Sequence, residues 1–392
     1  MIESLSDLLH PHDPRQLLAA FSAHERLLLR TGRADAFRRL LPWDQVNALV
    51  TAETIEAGIV ELSRSSVILP LEMSVQRLRD ENHRPSLKLT ALQENCRRGL
   101  SIVINNIQQS VRGIALMNAI VEREFRAPVH TNAYVSFGRN SAFKAHWDNQ
   151  NVLNLQTHGR KLWRGWANLF LLPVDKAESK VPADPGPPDW EAVLEPGDVL
   201  YLPRGHVHQA EVIDGEDAVH MTVTIVPPRG GQLAQSLAMV CERDPDGRRD
   251  LPLLASAEAK AAWLSRMKVL LHQAVDALDL DQILADLDRA REPLSFTSLG
   301  HLGRVTEATR FQPALRRRPP PDRQGESGAV RAGSRTWQLG ATESAILDHA
   351  TRCHTARAGD LPALMPETPW DEIRVAISDM AGKGLLILLE PE

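Results

Sequence analysis

From Thr131 to Val226 the apolar residues fall in short runs cut by Gly, Pro, Asn and Asp. The runs are 132–137, 152–157, 161–166, 169–172, 199–202, 208–213 and 219–226. Short strands punctuated this way suit an antiparallel sandwich or a small barrel. A Pro-rich stretch, 180–189, interrupts them and reads as a surface connection between two barrel strands.

Within this region lies His146-Trp147-Asp148, answered by His208 at the end of Gly197-Asp198-Val199-Leu200-Tyr201-Leu202-Pro203-Arg204-Gly205-His206-Val207-His208. In an extended segment, side chains at i and i+2 point to the same face, so one short piece of backbone can present both His146 and Asp148 to a single ion. A neighbouring strand can bring His208 to the same point. Two imidazoles and one carboxylate are the ligand set of a facial-triad Fe(II) site with open coordination positions. The set does not suit the all-oxygen preference of Mg²⁺ and Ca²⁺ or the sulfur-rich preference of structural Zn²⁺. His206 competes with His208 for the third position but falls on the turn, which makes it a neighbour. His130, His158 and His220 read as structural or solvent-facing.

The flanks are helical. Leu17, Leu18 and Phe21, then Leu27, Leu28 and Leu29, recur near helical spacing, and a helix start follows Pro42-Trp43. Ile107, Val111, Ile114, Met117 and Val121 form one stripe of a helix over 107–126. Beyond Gly230-Gly231 helices return over 232–243 and 256–290. Residues 311–336, with Arg316-Arg317-Arg318-Pro319-Pro320-Pro321, read as a flexible basic linker. Residues 337–392 resemble a small winged helix, with nine acids against four bases. Phosphate binding needs the opposite balance, so no DNA partner is expected. Three dispersed cysteines without CxxC spacing indicate neither a disulfide framework nor a thiolate zinc site. The acidic early N-terminus does not read as a signal peptide, and no run suits a bilayer span; the expected compartment is the cytoplasm.

At these motifs the chain resembles the JmjC-type branch of the cupin superfamily, the cupin-4 or ribosomal-oxygenase-like proteins. The motif resemblance covers roughly 131–226. It implies an α+β fold: a double-stranded β-helix, the cupin or JmjC barrel, with N-terminal helices, a helical region and a C-terminal winged-helix domain. The implied domains are a catalytic part at 1–231, a helical region at 232–310, the linker at 311–336 and the winged helix at 337–392. The implied activity is side-chain hydroxylation with Fe(II), O2 and 2-oxoglutarate on a protein or peptide, a ribosomal protein by family resemblance. Free amino acids, peptide natural products, a metal cupin without 2-oxoglutarate and a metabolite-sensing regulator stay as alternatives.

By the same resemblance His146, Asp148 and His208 take the iron positions. Lys161 takes the place of the basic residue that pairs with the distal carboxylate of 2-oxoglutarate; Arg160 points to the opposite face. Asn132 and Thr224 are either polar contacts to the co-substrate or ordinary strand residues. Tyr134 matches a pocket tyrosine near the substrate, with core packing as the other reading. Trp147 either lines the mouth or packs. The run Asn149-Gln150-Asn151 departs from the family's acidic and apolar residues and puts the ribosomal substrate in doubt. Homodimerisation through 232–310 is a family trait, although apolar stripes there suit a monomer equally.

Overall fold

The computed structural model describes residues 2–51, 60–64, 67–69, 75–77, 85–138, 143–166, 171–174, 181–182, 185–296, 304–317 and 328–389. It divides into two compact units, 1–226 and 227–392.

The first unit opens with helices α1 (Leu5–Leu9), α2 (Pro14–Ala23), α3 (Ala34–Leu40) and α4 (Trp43–Thr51), with strand β1 (Leu27–Arg30) between α2 and α3. Ser4 and Asp13 cap α1 and α2 by accepting from Asp7 N and Arg15 N. Then come β2 (Val60–Arg64), β3 (Val67–Leu69), β4 (Val75–Arg77), β5 (Pro85–Leu87), α5 (Leu89–Arg97), β6 (Ser101–Ile104) and α6 (Arg112–Phe125). Seven strands complete the unit: β7 (Val129–Phe137), β8 (Asn151–His158), β9 (Lys161–Gly165), β10 (Trp190–Leu194), β11 (Asp198–Leu202), β12 (His208–Val212) and β13 (Asp217–Ile225).

Apart from the β4–β5 pair, these strands form two antiparallel sheets. The large one runs β1-β11-β8-β13-β7-β6-β2-β3 and the small one β10-β9-β12. One face of the large sheet packs on helices: Val135, Leu153, Leu155, Val219, Met221 and Val223 join Leu17, Phe37, Ile114, Met117 and Ile120 in the main core. The other face carries Tyr134, Ser136, Asn154, His220 and Thr222, which share a pocket with Lys161, Trp163, His208 and Ala210 of the small sheet. Alternation along each strand therefore splits an apolar core from a polar interior.

Two local expectations fail. Leu27–Leu29 are strand, paired with Tyr201–Val199, because α2 stops at left-handed His24 (φ 55°) and leaves a run too short for a helix. Leu171 and Leu172 are not strand, and Leu169 and Phe170 lie outside the described residues. The strand that pairs beside β9 is instead β10, whose Glu191-Ala192-Val193-Leu194 favours helix on local propensity but is overridden by pairing with Lys161–Arg164.

The second unit holds α7 (Gln232–Cys241), α8 (Ala257–Asp276), α9 (Leu280–Arg289), β14 (Arg310–Pro313), β15 (Ala329–Ala332), β16 (Arg335–Gln338), α10 (Ala341–Cys353), β17 (Ala356–Arg357), α11 (Leu361–Leu364), α12 (Trp370–Gly382) and β18 (Leu386–Leu388). A three-stranded sheet, β17-β14-β18, packs with α10 and α12 around Phe311, Ile346, Ile373 and Ile377. The flexible linker expected at 311–336 is thus corrected over its described parts. Phe311 is fully buried in β14, and Arg317 is buried against Asp288 (Nε to Oδ1, 3.0 Å). Residues 329–338 form the β15–β16 hairpin. Within the described residues, Phe311 and Leu315 are buried apolar anchors and Arg317 makes a buried ion pair, features that the basic composition hid.

Candidate metal centre

His146 and His208 face each other across an isolated antiparallel bridge: His146 N donates to His208 O (3.0 Å) and His208 N to His146 O (2.8 Å). Two residues on, Asp148 O accepts from Gly205 N (2.8 Å). Gly205 sits at φ +89°, which only glycine adopts freely, so the turn can come close under the ligand segment. The backbone thereby fixes the register of the 146–148 segment against residues 205–208.

The side chains converge. One ligand atom each from His146, Asp148 and His208 lies within 4.8 Å of the others, and His208 Nε2 is 3.7 Å from Asp148 Oδ2. His146 Nδ1 is 2.8 Å from Lys144 O, and His208 Nδ1 is 3.0 Å from His206 O. A nitrogen facing a carbonyl oxygen carries the proton. Both rings are therefore Nδ1–H tautomers, with the Nε2 lone pair left for a ligand. Nitrogen, nitrogen and carboxylate oxygen in this arrangement could hold a divalent transition metal. It is the only such cluster among the described residues.

The pocket beside the cluster has a volume of about 460 Å³ counting its open mouth, and Lys161 reaches into it. Lys161 is 2% exposed. Its Nζ donates to His220 Nδ1 (2.8 Å), Ser136 Oγ (3.1 Å) and the Tyr134 carbonyl (3.3 Å). All three are neutral acceptors, and among the described residues no carboxylate pairs with Lys161. Burial alone pulls its pKa down to about 7. His220 is held neutral, well below its ordinary pKa, by burial first and then by the nearby Lys161 and His208. Its ring stacks on Tyr134 (4.8 Å, 5°) and meets Trp163 edge-on. Phe143 touches both Tyr134 and His146.

The pocket therefore collects His146, Asp148, His208, Lys161 and Tyr134. Arg160 points away and is bound to Glu216. Asn132 and Thr224 share strand faces with pocket residues but stand one step further along and do not line it. Asn132 Oδ1 instead accepts from Asn106 N (3.0 Å). Trp147 does not line the mouth either; it is buried against Trp166 and Val207. Sequence reasoning missed Ser136, Phe143, Asn154, Thr222 and His220. Alternation within the expected 219–226 strand could have found His220, since it shares a face with Thr222 and Thr224.

Comparison with known proteins agrees with this architecture. Residues 103–233 match the family model described as a JmjC domain. Over those residues the chain is similar to JmjC domains. Over 164 residues the chain is 30% identical to the bifunctional lysine-specific demethylase and histidyl-hydroxylase NO66 of Aedes aegypti, covering 40% of this chain and 26% of that protein. Over 114 residues it is 35% identical to ribosomal oxygenase 1 of Rattus norvegicus, covering 27% and 18%. The chain thus spans about a quarter or less of these relatives, and the likeness centres on the JmjC domain. A solved structure of YcfD, a ribosomal oxygenase from Escherichia coli in complex with cobalt and 2-oxoglutarate, superposes with a TM-score of 0.58 at 14% identity. That match covers 97% of this chain and 99% of YcfD, and at such identity it is a likeness of fold.

Proposed function

We propose that the chain is an Fe(II)- and 2-oxoglutarate-dependent oxygenase that hydroxylates an amino-acid side chain of a protein or peptide. One observation carries the reading: a single pocket joins the His146, Asp148 and His208 cluster to a buried lysine with only neutral partners. The donor set fits Fe(II), and the Lys161 ammonium fits the far carboxylate of a dianionic co-substrate. Iron held there would activate O2, which is the oxidant: one oxygen atom goes to the substrate side chain and the other to 2-oxoglutarate, which leaves as succinate and CO2.

The chain's own residues have separate tasks. His146, Asp148 and His208 would hold the metal, their tautomers set by Lys144 O and His206 O. Lys161, in its protonated form, would donate to the distal carboxylate, and a buried ion pair of this kind is strong where water is absent. Ser136 and neutral His220 aim the ammonium by accepting from it. Tyr134 and Phe143 supply an aromatic wall for the substrate side chain.

A ribosomal protein substrate is favoured by the names of the relatives, ribosomal oxygenase 1 and YcfD. Homodimerisation through the helices after residue 231 is supported by Leu264, Leu271 and Val275, which leave one face of α8 exposed. We read the unit's α10, α11, α12 and three-stranded sheet as a winged helix used for protein contact. Among the described residues, no helix is long and apolar enough to cross a membrane.

The test is mass spectrometry of ribosomal proteins and other peptides from cells with and without the gene. The proposal expects a side chain that gains one oxygen only when the gene is present. Identical oxidation patterns, together with no Fe(II)-dependent consumption of 2-oxoglutarate by the purified chain, would refute it.

A further inference from the structure

The residues between and beside the ligands point the other way. Trp147 lies between His146 and Asp148, and Val207 precedes His208. Neither lines the pocket; both are buried in a small cluster with Trp166, against which Ala145 and Val181 pack. Trp166 follows Gly165, whose backbone pairs with His208. Trp166 N also donates to Val207 O (3.0 Å). Trp166 thus shares a buried cluster with one residue from each of the two segments.

The same ring is tied to the connection between β9 and β10. Trp166 Nε1 donates to Gly186 O (2.8 Å), and Asp189 N donates to Gly165 O (2.9 Å). Asn149, next to Asp148, donates through Nδ2 to Val174 O (3.3 Å) of that connection. Three points of the 166–189 connection, Val174, Val181 and Gly186, are therefore fastened to the ligand segments or to the ring behind them. The main core of the unit is a separate cluster and contains none of these residues.

We propose that Trp166 is a positioning residue for the metal centre: it spaces the His146–Asp148 and His208 segments through Trp147 and Val207, and its indole N–H ties that spacing to the backbone at Gly186. The inference rests on the metal-site reading above. Groups that orient ligands without touching the ion change metal affinity by about 10- to 100-fold when removed. Loss of the Trp166 ring should fall in this range, because both segments lose their common backing. Loss of the N–H alone should cost less, since the ring's packing remains.

The test is titration of the metal-free full chain with Co(II), read by visible absorption, for wild type, Trp166→Ala, Trp166→Phe and Trp43→Phe. Co(II) is chosen because its spectrum reports ligand geometry, and urea unfolding of each variant confirms that it is folded. Trp166→Ala should bind Co(II) at least about 10-fold more weakly with an altered spectrum. Trp166→Phe should restore most of the affinity but retain a spectral shift. Trp43 packs against the main core, away from the ligand segments, so Trp43→Phe should match wild type. If wild type binds Co(II) and both Trp166 variants match it in affinity and spectrum, the positioning role is overturned alone. If a folded wild type binds no Co(II), this inference and the metal-site reading both fall.

Discussion

Lys161→Met should stabilise the co-substrate-free protein while removing its capacity to bind 2-oxoglutarate. Burial lowers the Lys161 pKa from 10.5 to about 7. The sign follows from proton binding. Between pH 7 and 10.5 the unfolded chain holds this proton and the folded chain does not, so folding stability rises with pH across that window. Below pH 7 the folded chain carries the full cost of the buried charge, roughly 4–5 kcal/mol by this linkage. Methionine has similar length and no charge. Its introduction orphans the acceptor His220 Nδ1 and removes one donor from Ser136, which still accepts from Ser101 Oγ. Leaving one buried acceptor unpaired costs about 1–3 kcal/mol. The net gain at pH 7 is therefore about 2 kcal/mol.

The assay is urea unfolding of wild type and Lys161→Met between pH 6.5 and 10, in parallel with 2-oxoglutarate titration at pH 6.5. The variant should be the more stable at neutral pH; the gap should close near about pH 9, where the wild-type penalty has fallen to about the 2 kcal/mol cost of the orphaned acceptor, and the order should reverse by about pH 10. Its 2-oxoglutarate affinity should fall by about 100-fold or more, the worth of a charged hydrogen bond in a dry site. A variant less stable than wild type at pH 7, or a gap independent of pH, would refute the reasoning.

Three further outcomes are expected. Asp148→Asn and His208→Ala should each lose stoichiometric Fe(II) binding while keeping the wild-type fold by circular dichroism, because the backbone bridge between residues 146 and 208 does not use the side chains. Gly165→Ala places a Cβ 2.1 Å from the Trp190 ring, so it should destabilise the unit by about 1–3 kcal/mol in urea and weaken metal binding through β12. If α8 pairs with a second copy as proposed, the wild type should sediment as a dimer and Leu271→Glu as a monomer in analytical ultracentrifugation, since Leu271 is exposed on α8.

The cluster of His146, Asp148 and His208 was legible because its signal is local. His146 and Asp148 are two apart in an extended segment, and a glycine turn places His208 beside them. Lys161 came from the family resemblance; alternation added only that Arg160 faces the other way, and the Arg160–Glu216 ion pair on the outer face agrees with that. Asn154 was not legible, because it reaches the pocket only through cross-strand register: it lies opposite Thr222 and Leu200. Ser136 and His220 likewise meet Lys161 from strands 25 and 59 residues distant in sequence. Asn132 and Thr224 have the right face but the wrong height along their strands, a distinction that alternation does not encode. Trp147 had the ligands' company in sequence and the opposite direction in space. In the fold, β1 and β10 were hidden because pairing overrode a leucine run and a helix-favouring Glu-Ala-Val-Leu, respectively.

The central claim is that this pocket couples Fe(II) to 2-oxoglutarate. Its most direct test is succinate formation from 2-oxoglutarate by the purified chain loaded with Fe(II) in air, set against His208→Ala. The account predicts iron-dependent succinate release that His208→Ala abolishes. No succinate from an iron-loaded wild type, or equal release by the variant, would contradict it.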